Sequence, residues 1–195
     1  MSLRRPAAAV TVDGRRLTAA QAALTTITVD VGVGAAHDRA VLCLGAASPL
    51  AATAVGATVA VALGYGDDVT DVFTGSVIAR DLRPWGTVVE ALAETVKLSR
   101  LRVGRAFRAQ SVGDIVGDLA GEAGLAVGDV VGGEDCAGLH VDERRTAWHH
   151  VQDLARLSGC ESSSAPDGGL RFTAAPGAAP GGGGGGPAGP GCRPG

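Results

Sequence analysis

Apolar and polar residues alternate along the first hundred residues of the chain, and this period of two is typical of β-strands with one buried face. Val59, Val61 and Leu63, for example, alternate with Ala60 and Ala62. Strands are predicted over residues 10–12, 24–31, 40–44, 59–63, 72–78 and 87–92. Short polar turns separate them, so we expect an antiparallel meander of about six strands that forms a barrel or a sandwich.

Some of these segments carry more detailed predictions. One face of segment 24–31 is expected to be buried, and it carries Thr25, Ile27, Val29 and Val31. Segment 40–44 is an almost continuous apolar run, which is typical of a strand buried on both faces. Residues 64–71 are predicted to form a turn rich in glycine and aspartate. Gly75, inside a strand, predicts a bulge or a close approach of another backbone.

The hydrophobic period becomes helical at Ser111, where a serine followed three residues later by Asp114 resembles a capping box. Gly124 is expected to end this helix in the left-handed conformation. The predicted apolar face contains Val112, Ile115, Val116, Leu119 and Ala123. Gly113, Gly117 and Gly121 recur at intervals of four, and we expect them to let a neighbouring segment approach closely.

A second helix is predicted from Thr146, as its cap, to Ser158, with Gly159 as its end. Its apolar positions are predicted at Ala147, Val151, Leu154, Ala155 and Leu157, with Trp148 covering one end. Residues 160–163 and 170–172 then predict two strands of a hairpin. The fold class is therefore α+β, with a β-barrel-like domain followed by a small α/β module of two helices and a hairpin.

The predicted domains are residues 1–105 for the barrel-like part, 106–175 for the α/β module and 176–195 for a tail. The tail consists almost entirely of Ala, Gly and Pro, so it cannot bury enough apolar surface to offset the entropy of ordering and is expected to be disordered. The glycine run 181–186 inside it is not a phosphate-binding loop, because it lacks a flanking strand and helix.

Composition narrows the choice of function. The formal net charge is −3, which argues against a general nucleic-acid binder. Aromatic residues make up only 3% of the chain, so the core is expected to be aliphatic, with Phe73, Trp85, Phe107, Trp148 and Phe172 as its large members. The four cysteines (Cys43, Cys136, Cys160 and Cys192) follow no disulfide or zinc pattern and are expected to be reduced.

Residues 40–66 contain no charge and are long enough to cross a bilayer. Pro49 and several glycines interrupt the segment, its apolar residues are mostly alanine, and no basic cluster flanks it. We therefore interpret it as two strands and a loop, and we expect no membrane insertion.

A basic stretch lies at residues 97–108, with Lys97, Arg100, Arg102, Arg105 and Arg108. Leu101 and Val103 alternate with arginines, which predicts a strand that buries one row of side chains. A contact to phosphate or nucleic acid is one interpretation of these charges. A solvated strand face or a subunit interface is favoured, because the chain is acidic overall and interleaved aromatics are almost absent.

Three sets of residues have the right chemistry for a site but the wrong spacing. Asp67, Asp68 and Asp71 offer oxygen ligands without the spacing of an EF-hand, so an ordinary hairpin turn is favoured. A zinc site would draw on Cys136, His140, His149, His150 and Cys160, but no tight ligand pair occurs, and adjacent histidines point to different sides of a helix. A glycosidase-like carboxylate pair would draw on Glu122, Glu134, Asp135 and Glu161. We therefore predict no catalytic, cofactor-binding or metal-binding residues, and no enzyme.

Two segments resemble the late control D family of tailed phages. The first is a strand ending in Leu63-Gly64-Tyr65, an acidic turn and then Val72-Phe73-Thr74-Gly75-x-Val77. The second contains SxxDIVxxLAxEAGL from Ser111, TxWxxVQxLAxxxGCE from Thr146, a DGG turn and LxF, and resembles the second domain of the family. Together the two segments span residues 56–174.

This resemblance implies a structural hub protein in the baseplate of a contractile tail or injection system, with a tail-tube-like first domain. It also implies a homotrimer that joins tail-tube and spike proteins, assembles in the cytoplasm and ends in the particle's baseplate. Family members continue beyond the α/β module, so a truncated copy, a fragment of a split hub or a frameshifted product is expected here. The alternative from another class is a cell-wall-binding or cell-wall-degrading module at a tail tip. Loss of peptidoglycan turnover in Glu161→Gln would favour that alternative.

Overall fold

The structure, a computed structural model, describes residues 5–33, 36–133 and 135–176. It is mostly antiparallel β-sheet with three helices in these residues, which agrees with the α+β class. The elements in chain order are β1 (Pro6–Val12), β2 (Arg15–Thr18), β3 (Leu24–Asp30), β4 (Arg39–Gly45), β5 (Thr58–Tyr65), β6 (Asp68–Arg83), β7 (Gly86–Ala93), α1 (Val96–Arg100), β8 (Arg105–Ser111), α2 (Val112–Glu122), β9 (Val127–Val130), β10 (Asp135–Val141), α3 (Ala147–Ser158), β11 (Cys160–Ser164) and β12 (Leu170–Ala174).

The described residues divide into two compact units. The first contains residues 5–32, 36–94 and 164–168, and the second contains residue 33 together with 95–133, 135–163 and 169–176. Each unit has its own cluster of buried apolar side chains. The predicted tail lies outside the described residues from residue 177 onward.

The first unit is built on a seven-stranded antiparallel sheet with the order β2-β1-β5-β6-β7-β4-β3. The predicted simple meander is wrong, because β5 pairs with β1 and β4 pairs with β7. The sheet ends on β2 and β3, so it is not closed into a barrel in the described residues. Only the four residues Arg15–Thr18 form β2, which leaves little backbone for a closing ladder.

One hairpin turn of this sheet is as predicted, and another is tighter. Asp13 and Gly14 form the β1–β2 turn, as expected, and both have positive φ. The acidic turn does not extend over residues 64–71, because Tyr65 already pairs with Asp68 across the β5–β6 ladder. Gly66 takes a positive φ of 62° at this turn, a conformation that glycine adopts without steric penalty.

Burial in β3 and β4 is one-sided. Ala40, Leu42 and Leu44 are buried, whereas Val41 and Cys43 are only half-buried, so the expectation that β4 is buried on both faces is wrong. In β3, Ile27 and Val29 pack partly against the core, but Thr25 is exposed. Val31 lies just beyond the strand and is 64% exposed. A β3 face that is only half covered follows from its position at the edge of the sheet.

Gly75 confirms the predicted close backbone approach. It lies in the middle of β6, opposite Val59 on one side and Ala93 on the other. A Cβ atom at this position would collide with the Leu92 carbonyl and would come within 2.8 Å of the Phe73 ring. The irregular register lies close by, between Val61 and Ala62 on β5 and between Val77 and Ala79 on β6.

The second unit packs three helices with two small sheets, one of β10 and β8 and one ordered β11-β12-β9. Phe107, Trp148 and Phe172 are buried in its core, as the sequence predicts. Both predicted main helices are confirmed, including their caps. Ser111 Oγ accepts a hydrogen bond from the Asp114 amide at 3.1 Å, and Thr146 Oγ1 accepts one from the His149 amide. Gly124 and Gly159 follow with positive φ of 65°.

The buried face of α3 differs from the predicted one at three residues. Leu157 is 65% exposed, whereas His150 and Gln152 are buried. Both buried polar side chains find partners, because His150 Nε2 lies 3.0 Å from the Asp142 carbonyl oxygen and Gln152 Nε2 donates to Ser162 Oγ at 2.6 Å. Satisfied hydrogen bonds remove most of the penalty for burying these groups.

Of the three glycines along α2, only Gly113 meets a close neighbour. A Cβ atom there would lie 2.6 Å from the Val131 carbonyl oxygen, whereas Gly117 and Gly121 have nothing within 4 Å of such an atom. The predicted role in close packing is therefore confirmed for Gly113 and wrong for the other two. The α2 surface around Gly117 is left uncovered by the described residues.

Gly117→Ala is expected to raise the free energy of unfolding by about 0.5–1 kcal/mol, since alanine loses less backbone entropy in a helix than glycine. Gly113→Ala, in the same helix, should lower it, because the Val131 carbonyl blocks the new methyl group. Guanidinium unfolding followed by far-UV circular dichroism measures both. Equal effects of the two substitutions would contradict the packing described for α2.

Candidate functional site

The acidic turn offers no assembled cation site. Asp67, Asp68 and Asp71 are exposed near the β5–β6 turn, and Arg16 Nη1 lies 3.9 Å from Asp71 Oδ1. No group of three or more histidine, cysteine or acidic side chains in the described residues is placed to hold a metal ion. The geometry of the turn is that of an ordinary hairpin.

The histidines and cysteines considered for zinc form no group that could hold a metal ion in the part of the chain that the structure describes. They also differ in burial and in hydrogen-bond partners. His150 is buried while His149 is exposed, as expected for neighbours on a helix. His149 Nδ1 lies 2.7 Å from Thr146 Oγ1 at the start of α3. Cys136 is buried, Cys160 is half-buried and His140 is exposed. Cys43, Cys136 and Cys160 are free thiols, and Cys192 lies outside the described residues.

The carboxylates considered for glycosidase chemistry differ in their ion pairing and in their burial. Glu122 Oε2 lies 3.9 Å from Arg105 Nη1, so it belongs to a surface ion pair. Asp135 is exposed at the start of β10, Glu161 is half-buried in β11, and Glu134 lies outside the described residues.

The basic stretch is not the continuous strand that its alternation predicts. Residues 96–100 form the short helix α1, residues 101–104 are irregular, and β8 begins at Arg105. Leu98 is fully buried in α1, and Leu101, just beyond the helix, is partly buried. The segment in which Leu101 and Val103 alternate with arginine is therefore not part of a strand.

Several charges of this stretch have partners inside the second unit. Arg102 Nη1 donates to the Arg144 carbonyl at 2.6 Å, and Lys97 Nζ donates to the Gly124 carbonyl at 3.5 Å, beyond the end of α2. Arg105 lies 3.7 Å from Asp118 Oδ2 and stacks on the Phe107 ring. These contacts favour a structural role for the basic residues over a continuous phosphate-binding surface.

Asp38 is a buried carboxylate in the first unit. Burial raises the pKa of Asp38, while a hydrogen bond of 2.9 Å from the Gly32 amide to Oδ1 acts in the opposite direction. Burial also lowers the pKa of the neighbouring His37. A raised carboxyl pKa means that the folded state binds the proton more tightly than the unfolded chain.

Asp38→Asn is therefore expected to increase stability at neutral pH and to flatten its dependence on pH. The stabilisation from protonated Asp38 is complete below the unfolded pKa of about 4 and is lost as the pH rises through the higher folded pKa. Asparagine keeps the oxygen that accepts from Gly32 without carrying charge. Thermal melts between pH 4 and 7 measure the effect, with Asp67→Asn at an exposed turn as control. Lower stability of Asp38→Asn at pH 7 would contradict it.

The tip of the β6–β7 hairpin exposes two large apolar side chains of the first unit. β6 pairs with β5 only up to Ser76, so residues 79–85 are exposed. Leu82 is 66% exposed and Trp85 is 56% exposed. The Arg83 guanidinium lies 5.3 Å from the centre of the Trp85 ring, and Arg83 Nε donates to Asp81 at 2.8 Å. Residues 80–85 are called the hairpin tip below.

The predicted place of Trp85 in the core is wrong, because its side chain lies at the surface. The sequence holds the signal for exposure, since Trp85 sits in the Arg83-Pro84-Trp85-Gly86 turn, and turns run over the surface. An exposed tryptophan stacked under an arginine combines two residue types that dominate binding hot spots.

An open groove of about 370 Å³ lies between α2 and β9 in the second unit, called the α2–β9 groove below. Its lining residues are Gly113, Asp114, Gly117, Asp118, Val127, Val130 and Gly132. Val127 is 46% exposed there, and β9 is an edge strand of its sheet. The groove therefore combines glycine and valine residues with two carboxylates. It is open at Gly117 because this residue has no side chain to fill the space beside the helix.

Two solved structures match almost the whole chain. A tail protein from Neisseria meningitidis matches with a TM-score of 0.69 at 16% identity, covering 90% of this chain and 52% of its own. The 43 kDa tail protein of a Shewanella oneidensis prophage matches with a TM-score of 0.61 at 15% identity, covering 89% of this chain and 57% of its own.

The chain shares its fold with these tail proteins. It spans about half the length of each, with 57% and 52% covered. No family model and no curated protein sequence matches the chain. Among the described residues, no helix is both long enough and apolar enough to cross a bilayer.

Proposed function

We propose that the chain is a structural component of a phage-tail-like baseplate hub, similar to the late control D family. The observation that carries this proposal is the match to a tail protein, which covers 90% of the chain with a TM-score of 0.69. The sequence resemblance across residues 56–174 supports the same family independently of that alignment.

In this role the chain associates with copies of itself as a homotrimer and joins tail-tube proteins to a spike. The open sheet edges at β2 and β3, the exposed hairpin tip and the α2–β9 groove are surfaces suited to such contacts. Free strand edges and exposed tryptophan are features that proteins commonly cover with partners. Assembly takes place in the cytoplasm, and the finished protein belongs to the baseplate of the particle.

The proposal is tested by mixing the purified chain with tail-tube and spike proteins from the same host. Size-exclusion chromatography and negative-stain electron microscopy should reveal a complex of all three, with the chain between tube and spike. Failure to bind either protein would contradict the hub role. Release of soluble fragments from purified peptidoglycan, lost in Glu161→Gln, would replace it with a wall-degrading role.

A further inference from the structure

We propose that the hairpin tip of one copy inserts into the α2–β9 groove of a second copy. This inference rests on the self-association included in the proposed function, and it names the two surfaces that meet. They differ from each other, so the contact is heterologous, and such contacts generate rings when the rotation closes.

The two surfaces are complementary in chemistry. The hairpin tip presents the indole of Trp85 and the side chain of Leu82, both more than half exposed. The groove presents Val127 and Val130 with bare helix backbone at Gly117. An aromatic side chain buries roughly 150–250 Å² when it is covered, so filling this groove removes apolar surface from water on both copies.

The charges are also complementary. Arg80 and Arg83 accompany the single acid Asp81 at the tip, whereas Asp114 and Asp118 line the groove, with Asp118 paired with Arg105 of its own chain. Asp114 accepts a hydrogen bond from the Ser111 hydroxyl and has no ion pair in the part of the chain that the structure describes. An arginine delivered beside Trp85 would reach the Asp114 carboxylate and form a charge-assisted hydrogen bond with it.

The size of the groove also fits. A groove of about 370 Å³ is large enough for one aromatic side chain. Gly117 determines this space, because any larger side chain there would project from the helix into the groove.

Two single variants and two matched controls test the contact. Trp85→Ala removes the inserted side chain, and Tyr65→Ala is its control, because Tyr65 is a similarly exposed aromatic residue (55%) at the opposite end of β6. Gly117→Leu fills the groove, and Gly121→Leu is its control, since Gly121 is one turn further along the helix, has equally open space and does not line the groove. Circular dichroism melts verify that all four variants fold.

Analytical ultracentrifugation should show self-association of the natural chain and of both controls. Trp85→Ala and Gly117→Leu should each weaken it by about 30-fold or more, as expected for a hot-spot residue. An equimolar mixture of these two variants should form a one-to-one dimer, because the intact groove of one accepts the intact tip of the other.

Persistent association of both variants would overturn this inference and leave the proposed hub function standing. A mixture that stays monomeric would also overturn it, since a heterologous contact requires complementation. A natural chain that stays monomeric at all concentrations would overturn both the inference and the homotrimer of the proposed function. Binding to tube and spike proteins, measured separately, then decides the hub role.

Discussion

Phe172→Ala is expected to lower the free energy of unfolding of the second unit by about 3–5 kcal/mol, the usual range for removing a fully buried phenylalanine. Phe172 has 0% exposure in β12 and belongs to the main apolar cluster of this unit. Its carbonyl oxygen also accepts a hydrogen bond of 2.8 Å from the Val131 amide, so the strand is held in place and cannot easily collapse into the cavity.

The effect can be measured selectively through tryptophan fluorescence. Trp148 is 5% exposed in the same cluster, whereas the second tryptophan, Trp85, lies in the first unit and is replaced by phenylalanine in the background used. Guanidinium unfolding then follows the second unit alone. Val127→Ala, at a position 46% exposed, should change stability by less than about 0.5 kcal/mol. A similarly small effect of Phe172→Ala would contradict the proposed core.

Gly75→Ala is expected to destabilise the first unit by about 3 kcal/mol, at the upper end of the effects of overpacking. The new methyl group would collide with the Leu92 carbonyl, and the Phe73 ring lies within 2.8 Å of the same position. Neither neighbour can move freely, because Leu92 belongs to β7 and Phe73 is 2% exposed in the core. The β6–β7 ladder must therefore shift.

Hydrogen–deuterium exchange provides the readout for this change. Peptides from β6 and β7 should exchange faster in Gly75→Ala, with peptides from α2 and α3 unchanged. Gly45→Ala is the matched control, since a Cβ atom there meets the Ala23 carbonyl oxygen at an ordinary 3.5 Å. Unchanged protection of β6 and β7 in Gly75→Ala would show that the two strands do not approach as closely as described.

Local signals in the sequence predict local structure well. Ser111, Thr146, Gly124 and Gly159 mark the ends of α2 and α3 because capping depends on a few adjacent residues. The β1–β2 turn at Asp13 and Gly14 is predictable for the same reason. The close approach at Gly75 is also predictable, because glycine weakens a strand interior and often marks a place where a side chain does not fit.

Long-range pairing is not predictable in the same way. Alternating patterns in β1, β4, β5 and β7 identify strands but not partners, so the pairing of β1 with β5 has no local signal. The helix α1 escapes prediction because its five residues are too short for a period, and the basic alternation suggests a strand. Leu157 shows that an apolar residue near a helix end need not face the core.

The candidate surfaces depend on this long-range structure. The α2–β9 groove exists because β9 pairs with β12 and leaves Gly117 bare, which no spacing along the chain reveals. The exposure of the hairpin tip can be predicted in part from the sequence, since a tryptophan in a proline-containing turn tends to be at the surface. The proposed contact between the hairpin tip and the α2–β9 groove can be inferred only when both surfaces are known.

The most direct test of the proposed function is quantitative mass spectrometry of tail-like particles purified from the native host. If the chain is a hub component, its peptides from both compact units will co-sediment with the particles at a constant ratio to the tube protein in every preparation. Recovery of the chain only in fractions without particles, while tube and spike proteins sediment together, would contradict the account.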